Sequence, residues 1–373
     1  MGIIVPNNKI RLMILGGALG VVSATASYAQ VSEAEFKKLQ QRVQELEKEQ
    51  TASVQKPGSG MGLVLSGLVE VEYSASDDYE GEYSSDIALA TVELGIDAEL
   101  SDKVSAHVLL LHEDDDTESV EVDEAILSIS HKNFLLNAGR MYVPFGQFET
   151  NMVSDTLALE LGETRESAVE LGYGAGPFSS SVYLFNGDSS NDSGNKSEQF
   201  GFRVALAEEL GGFSYDAGID YISSLADSGM LQDGAVNQVD NLEDYVAGYA
   251  LHASVVKGAG NLFFEYLSAA DSFDNNELAF NNHGAQPAAM NIEAGYQVDL
   301  FGKETQLALA YQLTEEAVAL ELPESRLSAA ASFDLVEHVA LGIEFSFDKD
   351  YDESDGGTGD NQTGFVVQLA TEF

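Results

Sequence analysis

In segment after segment from about residue 63 to the terminal Phe373, apolar side chains recur at every second position with small, polar or acidic residues between them. Near the end, Val339, Leu341, Ile343, Phe345 and Phe347 alternate with His338, Ala340, Gly342, Glu344 and Ser346. Phe365, Val367, Leu369 and Phe373 repeat the pattern against Val366, Gln368, Ala370 and Glu372. A period of two is that of a β-strand with one greasy face. Such segments are read at 63–74, 86–100, 103–112, 120–131, 132–141, 166–174, 178–187, 197–208, 212–222, 244–257, 260–268, 288–299, 304–314, 324–333, 338–347 and 363–373. That is about sixteen strands, an even number. Tight turns such as Ser101-Asp102, His131-Lys132-Asn133 and Lys257-Gly258-Ala259-Gly260 alternate with long, mostly acidic segments at 77–86, 113–118, 142–165, 187–198, 223–244, 269–287 and 349–362. The exception is a shorter gap around Leu322 and Pro323. Short turns at one end and long loops at the other predict an all-β fold, a transmembrane antiparallel outer-membrane β-barrel over 61–373 with its termini on the periplasmic side. Closure leaves no unpaired strand edge in lipid.

No run of about eighteen apolar residues occurs beyond the first thirty, so a helical span is excluded. Residues 1–29 join Lys9 and Arg11 to an apolar core at Leu12–Val22 and to small residues ending at Ala29. This reads as a cleaved secretory signal peptide, with the mature chain beginning near Gln30. In 30–50, Phe36, Leu39, Val43 and Leu46 are spaced as a short heptad helix, expected in the periplasm. This short coiled-coil helix would gain stability by associating with copies of itself, as in a homotrimer, or else lie as a solvated amphipathic helix that contacts nothing. Residues 51–60 are a linker of small and breaking residues. The formal charge of −46 argues against a nucleic-acid partner, which needs a basic footprint. Cysteine is absent, so disulfides and thiolate metal sites are excluded.

The alternation breaks at Gly139-Arg140-Met141-Tyr142-Val143-Pro144-Phe145-Gly146. Pro144 and Gly146 end the fifth strand, since proline cannot donate to a ladder and glycine frees the backbone to turn. The segment that follows, through Asp155, Glu160 and Glu163 to Arg165, is too long for a plain hairpin and is read as a functional loop able to fold into the barrel mouth. Assigning the apolar faces to lipid places Glu70, Glu72, Glu93, Asp97, Glu99, Glu170, Asp216, Asp220, Glu293, Glu344 and Glu372 in the lumen among small residues. The interior therefore reads as a hydrated channel more than a packed core. Arg203 and Arg326 read as lumen-facing, while Arg140 and Arg165 flank the long loop. Each arginine either pairs with a wall or loop carboxylate and holds the loop, or contacts an anionic solute at the constriction. The candidate pore residues are Arg140, Tyr142, Phe145, Asp155, Glu160, Glu163, Arg165, Arg203 and Arg326.

The six histidines, His107, His112, His131, His252, His283 and His338, share no motif with a nucleophilic serine and show no metal-ligand spacing. An enzyme is not expected, nor a cofactor. The run Glu113-Asp114-Asp115-Asp116 lacks the spacing of an EF-hand loop and reads as a solvated loop. Loop-bound divalent cations that bridge it to lipopolysaccharide are the alternative. Outer-membrane lipid is the expected surround, and Tyr and Phe near strand ends would supply the interfacial girdles. The terminal Phe373 resembles the C-terminal signature read by the barrel assembly machinery.

Signal, heptad helix, linker and barrel, with Ala138 to Gly146 ending the fifth strand, resemble the broad group that includes the phosphate-selective porins. Gly67-Leu68-Val69-Glu70-Val71-Glu72, the segment from Asp155 to Arg165, and Val182-Tyr183-Leu184-Phe185-Asn186-Gly187 more closely resemble the LbtU-type siderophore porins of Legionella and related bacteria. The resemblance implies passage of a ferric siderophore across the outer membrane, without a plug domain or direct energy coupling. It transfers no ligand-binding residues. The lumen strands lack the lysines of the phosphate porins, so phosphate selectivity is not expected. A general cation-preferring diffusion porin and a structural protein tethered through its N-terminal helix are the other functions compatible with the residues.

Overall fold

The computed structural model describes residues 62–114, 119–190, 199–232 and 242–373. The signal, helix and linker readings, and part of the acidic run after Glu113, lie outside them. The strands, in chain order, are β1 (Gly62–Asp77), β2 (Tyr83–Ser101), β3 (Val104–Glu113), β4 (Glu121–His131), β5 (Phe134–Tyr142), β6 (Arg165–Ala175), β7 (Phe178–Asn186) and β8 (Gln199–Glu209). They continue as β9 (Phe213–Ile222), β10 (Gly248–Lys257), β11 (Gly260–Ala269), β12 (Ala288–Leu300), β13 (Lys303–Glu315), β14 (Ser325–Val336), β15 (Val339–Lys349) and β16 (Asn361–Glu372). Each pairs antiparallel with the next, and β16 returns to β1 with Leu68 opposite Glu372 and Tyr73 opposite Val367. The sixteen-stranded barrel read from the sequence is therefore closed, with every strand paired on both sides.

The alternation divides two environments. On β7, Val182 and Leu184 are exposed while Ser181, Tyr183 and Phe185 are buried; on β15, Phe345 and Phe347 are exposed while Glu344 is buried. Such an outward apolar surface suits hydrocarbon once the backbone is saturated by neighbouring strands. Outward aromatic pairs sit near both rims, Phe134 with Tyr173 at 5.0 Å by the short turns and Phe200 with Tyr221 at 5.9 Å by the long loops. The short turns use left-handed backbone where a two-residue hairpin needs it, at Lys132 (φ 56°) and His338 (φ 64°).

Two expectations are corrected. The first long connection shrinks to residues 78–82, because Tyr83, Ser84 and Ser85 pair with Asp77, Ser76 and Ala75 and extend both strands past the acids. Asp78 closes the turn, accepting from the Glu82 N–H at 2.8 Å. The second correction concerns the interior. Phe145, Leu157, Leu161, Ile222, Leu225, Leu231, Leu242, Phe273, Leu278 and Leu320 join one buried apolar cluster with inward residues of the wall such as Tyr183, Phe185 and Leu267. The connections at 143–164, 223–247, 270–287 and 316–324 thus carry inward apolar side chains that pack together, so this side of the barrel holds a core where a hydrated space was expected.

Candidate functional site: the infolded loop and its cavity

The segment after β5 enters the lumen, held at its base by the Val143 N–H donating to the Thr164 carbonyl at 2.9 Å. Gly146 turns the chain in the left-handed region (φ 78°), where a side chain would be strained and would strike the Phe148 ring. From there the loop follows the wall, and one inward carboxyl after another accepts its N–H groups. Gly146 N–H donates to Asp220 Oδ2 of β9 at 3.0 Å, and the Gln147 and Phe148 N–H groups to the two oxygens of Glu265 of β11 at 2.7 and 2.5 Å. Asn151 N–H and Thr150 Oγ1 donate to Glu293 of β12 at 2.5 Å each. Val153 and Ser154 N–H donate to Glu344 Oε2 of β15 at 2.5 and 2.9 Å. Leu157 N–H donates to the Gln312 carboxamide oxygen of β13 at 2.7 Å.

The loop's peptide groups would be orphaned away from water, and four acids and one carboxamide on five strands satisfy them. A carboxylate accepting from backbone N–H is the stronger kind of hydrogen bond, worth roughly 1.5–3 kcal/mol each. The chain then forms α1 (Leu157–Gly162), whose N-cap Thr156 accepts from the Leu159 N–H at 3.1 Å and whose Leu157, Ala158, Leu159 and Leu161 are buried. Glu160 is the one partly exposed side chain of this helix. The return to β6 is tied to the 223–232 connection, since Ser228 Oγ donates to the Leu161 carbonyl and Gly229 N–H to the Glu163 carbonyl, both at 2.8 Å.

The structure separates the four arginines. Arg203 lies at the loop's apex: Nε and Nη2 donate to the two Asp220 oxygens at 2.8 Å, and Nη2 also to the Gly146 carbonyl. Arg326 is clamped on Asp348 by paired bonds of 2.9 Å, with Glu160 within electrostatic reach. Arg165 bonds Asp123 and Glu121, and Tyr142 Oη donates to the same Asp123 at 2.9 Å. Tyr142 and Arg165 stand opposite each other across β5 and β6, in phase with the outward Leu136, Val169 and Leu171, at the long-loop rim. Arg140 is exposed in the same outward phase, whereas neighbouring Met141 packs into the interior cluster. Arg140 and Arg165 thus flank the loop but are not brought to its apex. Phe145 and Asp155 are buried within the infolded segment, and Glu163 borders the cavity below.

That cavity has a volume of about 680 Å³ and lies between loop residues 142–150 and the inner faces of β5 to β8. It reaches Asn133, Gly174 and Ser179 near the short-turn rim, and Arg203 and Glu170 line its wall. Glu265, Gln312 and His252 belong to the site and were not singled out from the sequence. His252 Nε2 lies 2.9 Å from Asp216 and Nδ1 3.6 Å from Asp220, which ties it to the apex anchor. The available signal for Glu265 was a lone acid inside Leu262-Phe263-Phe264-Glu265-Tyr266-Leu267, an apolar run with no clean alternation.

Fold and loop together define a porin-type barrel, closed by sixteen strands and narrowed by its own infolded segment. Residues 71–224 match the model of the family described as phosphate-selective porin O and P, a stretch that contains the loop, Arg203 and Asp220. A UPF0422 protein of Coxiella burnetii is 28% identical over 81% of this chain and 67% of its own length. A UPF0422 protein of Legionella pneumophila subsp. pneumophila is 26% identical over 82% of this chain. The match spans only 62% of the Legionella protein's length. Among solved structures, the anion-selective porin from Comamonas acidovorans superposes with a TM-score of 0.58 at 17% identity, covering 84% of this chain and 100% of that one. The outer-membrane channel DcaP of Acinetobacter baumannii gives 0.58 at 17% identity over 85% and 99%. At these identities the likeness is one of fold.

Proposed function

We propose that the protein is an outer-membrane channel for uptake of a ferric siderophore, passive and without a separate plug, in which the 143–164 segment sets what passes. The observation that carries this reading is the loop itself, pinned across the lumen on β9, β11, β12, β13 and β15 and leaving a cavity of about 680 Å³ beside it. A cavity of roughly 300–1,000 Å³ with mixed apolar and polar lining suits a compact organic solute. The resemblance to siderophore porins supplies the ferric chelate as that solute. A second reading, a general cation-preferring diffusion porin, is favoured by the acidic inner wall, which concentrates cations.

Single-channel recording in planar bilayers, paired with iron-limited growth of a deletion strain, tests both. The siderophore reading expects a conductance that ferric siderophore interrupts and a growth defect that added siderophore does not relieve. Current indifferent to the chelate, with normal growth, would leave the general porin. A protein that folds and inserts but conducts nothing would leave the structural role.

A further inference from the structure

The cavity has a charge preference. Its charged lining is Glu124, Glu149, Glu163, Glu170 and Arg203. The one cation is already neutralised: Arg203 grips both oxygens of Asp220, whose side chain is fully buried, and the loop carbonyl of Gly146. A guanidinium so committed has little left to offer an anion. Glu124 shares His107 with Asp97, at 3.6 and 2.8 Å. Glu170, by contrast, accepts from a neutral carboxamide, Asn137 Nδ2, at 2.9 Å, and Glu149 lies beside Ser254 and His252. His252, the basic group beside Glu149, is itself held between Asp216 and Asp220. Glycines 172 and 174 and the serines at 179 and 181 leave room in this cavity, and Phe263 adds a ring face.

We propose that this vestibule binds a cationic organic solute, an alkylammonium group held by Glu149 and Glu170 with an aromatic face beside it. The inference rests on the channel reading above and gives it a substrate class: a ferric siderophore of the hydroxamate kind that carries a free amine, rather than a polycarboxylate chelate. Anionic chelates meet the carboxylates of Glu149 and Glu170, the latter bonded to a neutral carboxamide, and a cavity arginine already committed to Asp220.

The test uses the full-length protein in planar bilayers, with ferrioxamine B, which bears one free ammonium, set against ferric citrate. A salt gradient should give a reversal potential of cation-selective sign, and ferrioxamine B should interrupt the current at about tenfold lower concentration than ferric citrate. Glu149→Gln and Glu170→Gln keep an acceptor oxygen and remove only charge. Each should weaken the ferrioxamine B effect about threefold, as expected for one charge about 6 Å away in water. Equal block by the two chelates, or stronger block by ferric citrate, overturns the proposal. Isothermal titration of the detergent-folded protein with both chelates reads the same preference without conductance. An absence of current therefore counts against the channel, while the titration still decides the charge preference.

Discussion

At the scale of residues, the loop depends on a few inward carboxyls. Glu265 accepts two consecutive loop N–H groups, at 2.7 and 2.5 Å. Changing it to alanine removes both acceptors, each bond worth roughly 1.5–3 kcal/mol. Glu265→Ala is expected to release the loop's first turn and raise single-channel conductance while the barrel stays heat-modifiable on gels; unchanged conductance would show that the apolar cluster alone fixes the loop. Asp220→Ala is the harsher change, because it strands Arg203 without its carboxylate, and breaking a buried pair costs about 3–5 kcal/mol. A lower melting temperature is the expected outcome. For the rim arginines the expectation differs. Arg165 holds Asp123 and Glu121, whereas Arg140 makes no ion pair among the described residues, so Arg165→Glu should destabilise the barrel and Arg140→Glu should not. Phase alone revealed Asp220, Glu293 and Glu344 as inward acids. It did not reveal their use, because an acid facing water and an acid receiving a loop's N–H groups read alike in a period-two pattern.

At the scale of elements, the infolded segment was legible as a loop and not as a packed piece. Pro144 and Gly146 mark its start, but nothing local announces that Met152 will lie against Ala308, Ala310 and Ala330 of β13 and β14. Val153 is equally informative: a Cβ added at Gly342 of β15 would come within 2.8 Å of its Cγ2. Since the chain has no cysteine, the pair Val153→Cys and Gly342→Cys gives a clean probe of the loop's position. Oxidation should form the bond readily and leave conductance as it is, because the loop is already there; a bond that forms poorly, or closes the channel, would place the loop elsewhere. The neighbouring connection responds to pH. Burial, with Asp188 nearby, holds Asp227 above its ordinary value of 3.8, and its carboxyl accepts from the Ser189 N–H at 2.7 Å. A carboxyl whose folded value is raised stabilises the packed connection most when protonated, so that stability falls as pH rises from 3.8 through the raised value. Hydrogen-exchange protection of residues 224–232, corrected for intrinsic rates, should decline over that range, and Asp227→Asn should flatten the dependence.

At the scale of the whole molecule, the strand count, the closure and the two faces could be read because each follows from a local rule repeated along the chain. The interior core could not, since Leu225, Phe273 and Leu320 lie in three separate connections far apart in the chain and meet only in the closed barrel. Closure also bears on the heptad at 30–50. Because β1 pairs with β16 as well as β2, the barrel leaves no strand edge for a preceding segment to cover. If residues 30–50 form the expected heptad helix, two heptads are too short to hold together without partner copies. Deleting residues 31–50 is expected to leave a heat-modifiable barrel with the same conductance per channel, while trimers on native gels give way to monomers. If trimers persist, the outward faces of the strands carry the association and the heptad does not. If the intact protein already runs as a monomer, the homotrimer itself is excluded, and the channel must be argued for a single barrel with its own loop as the gate.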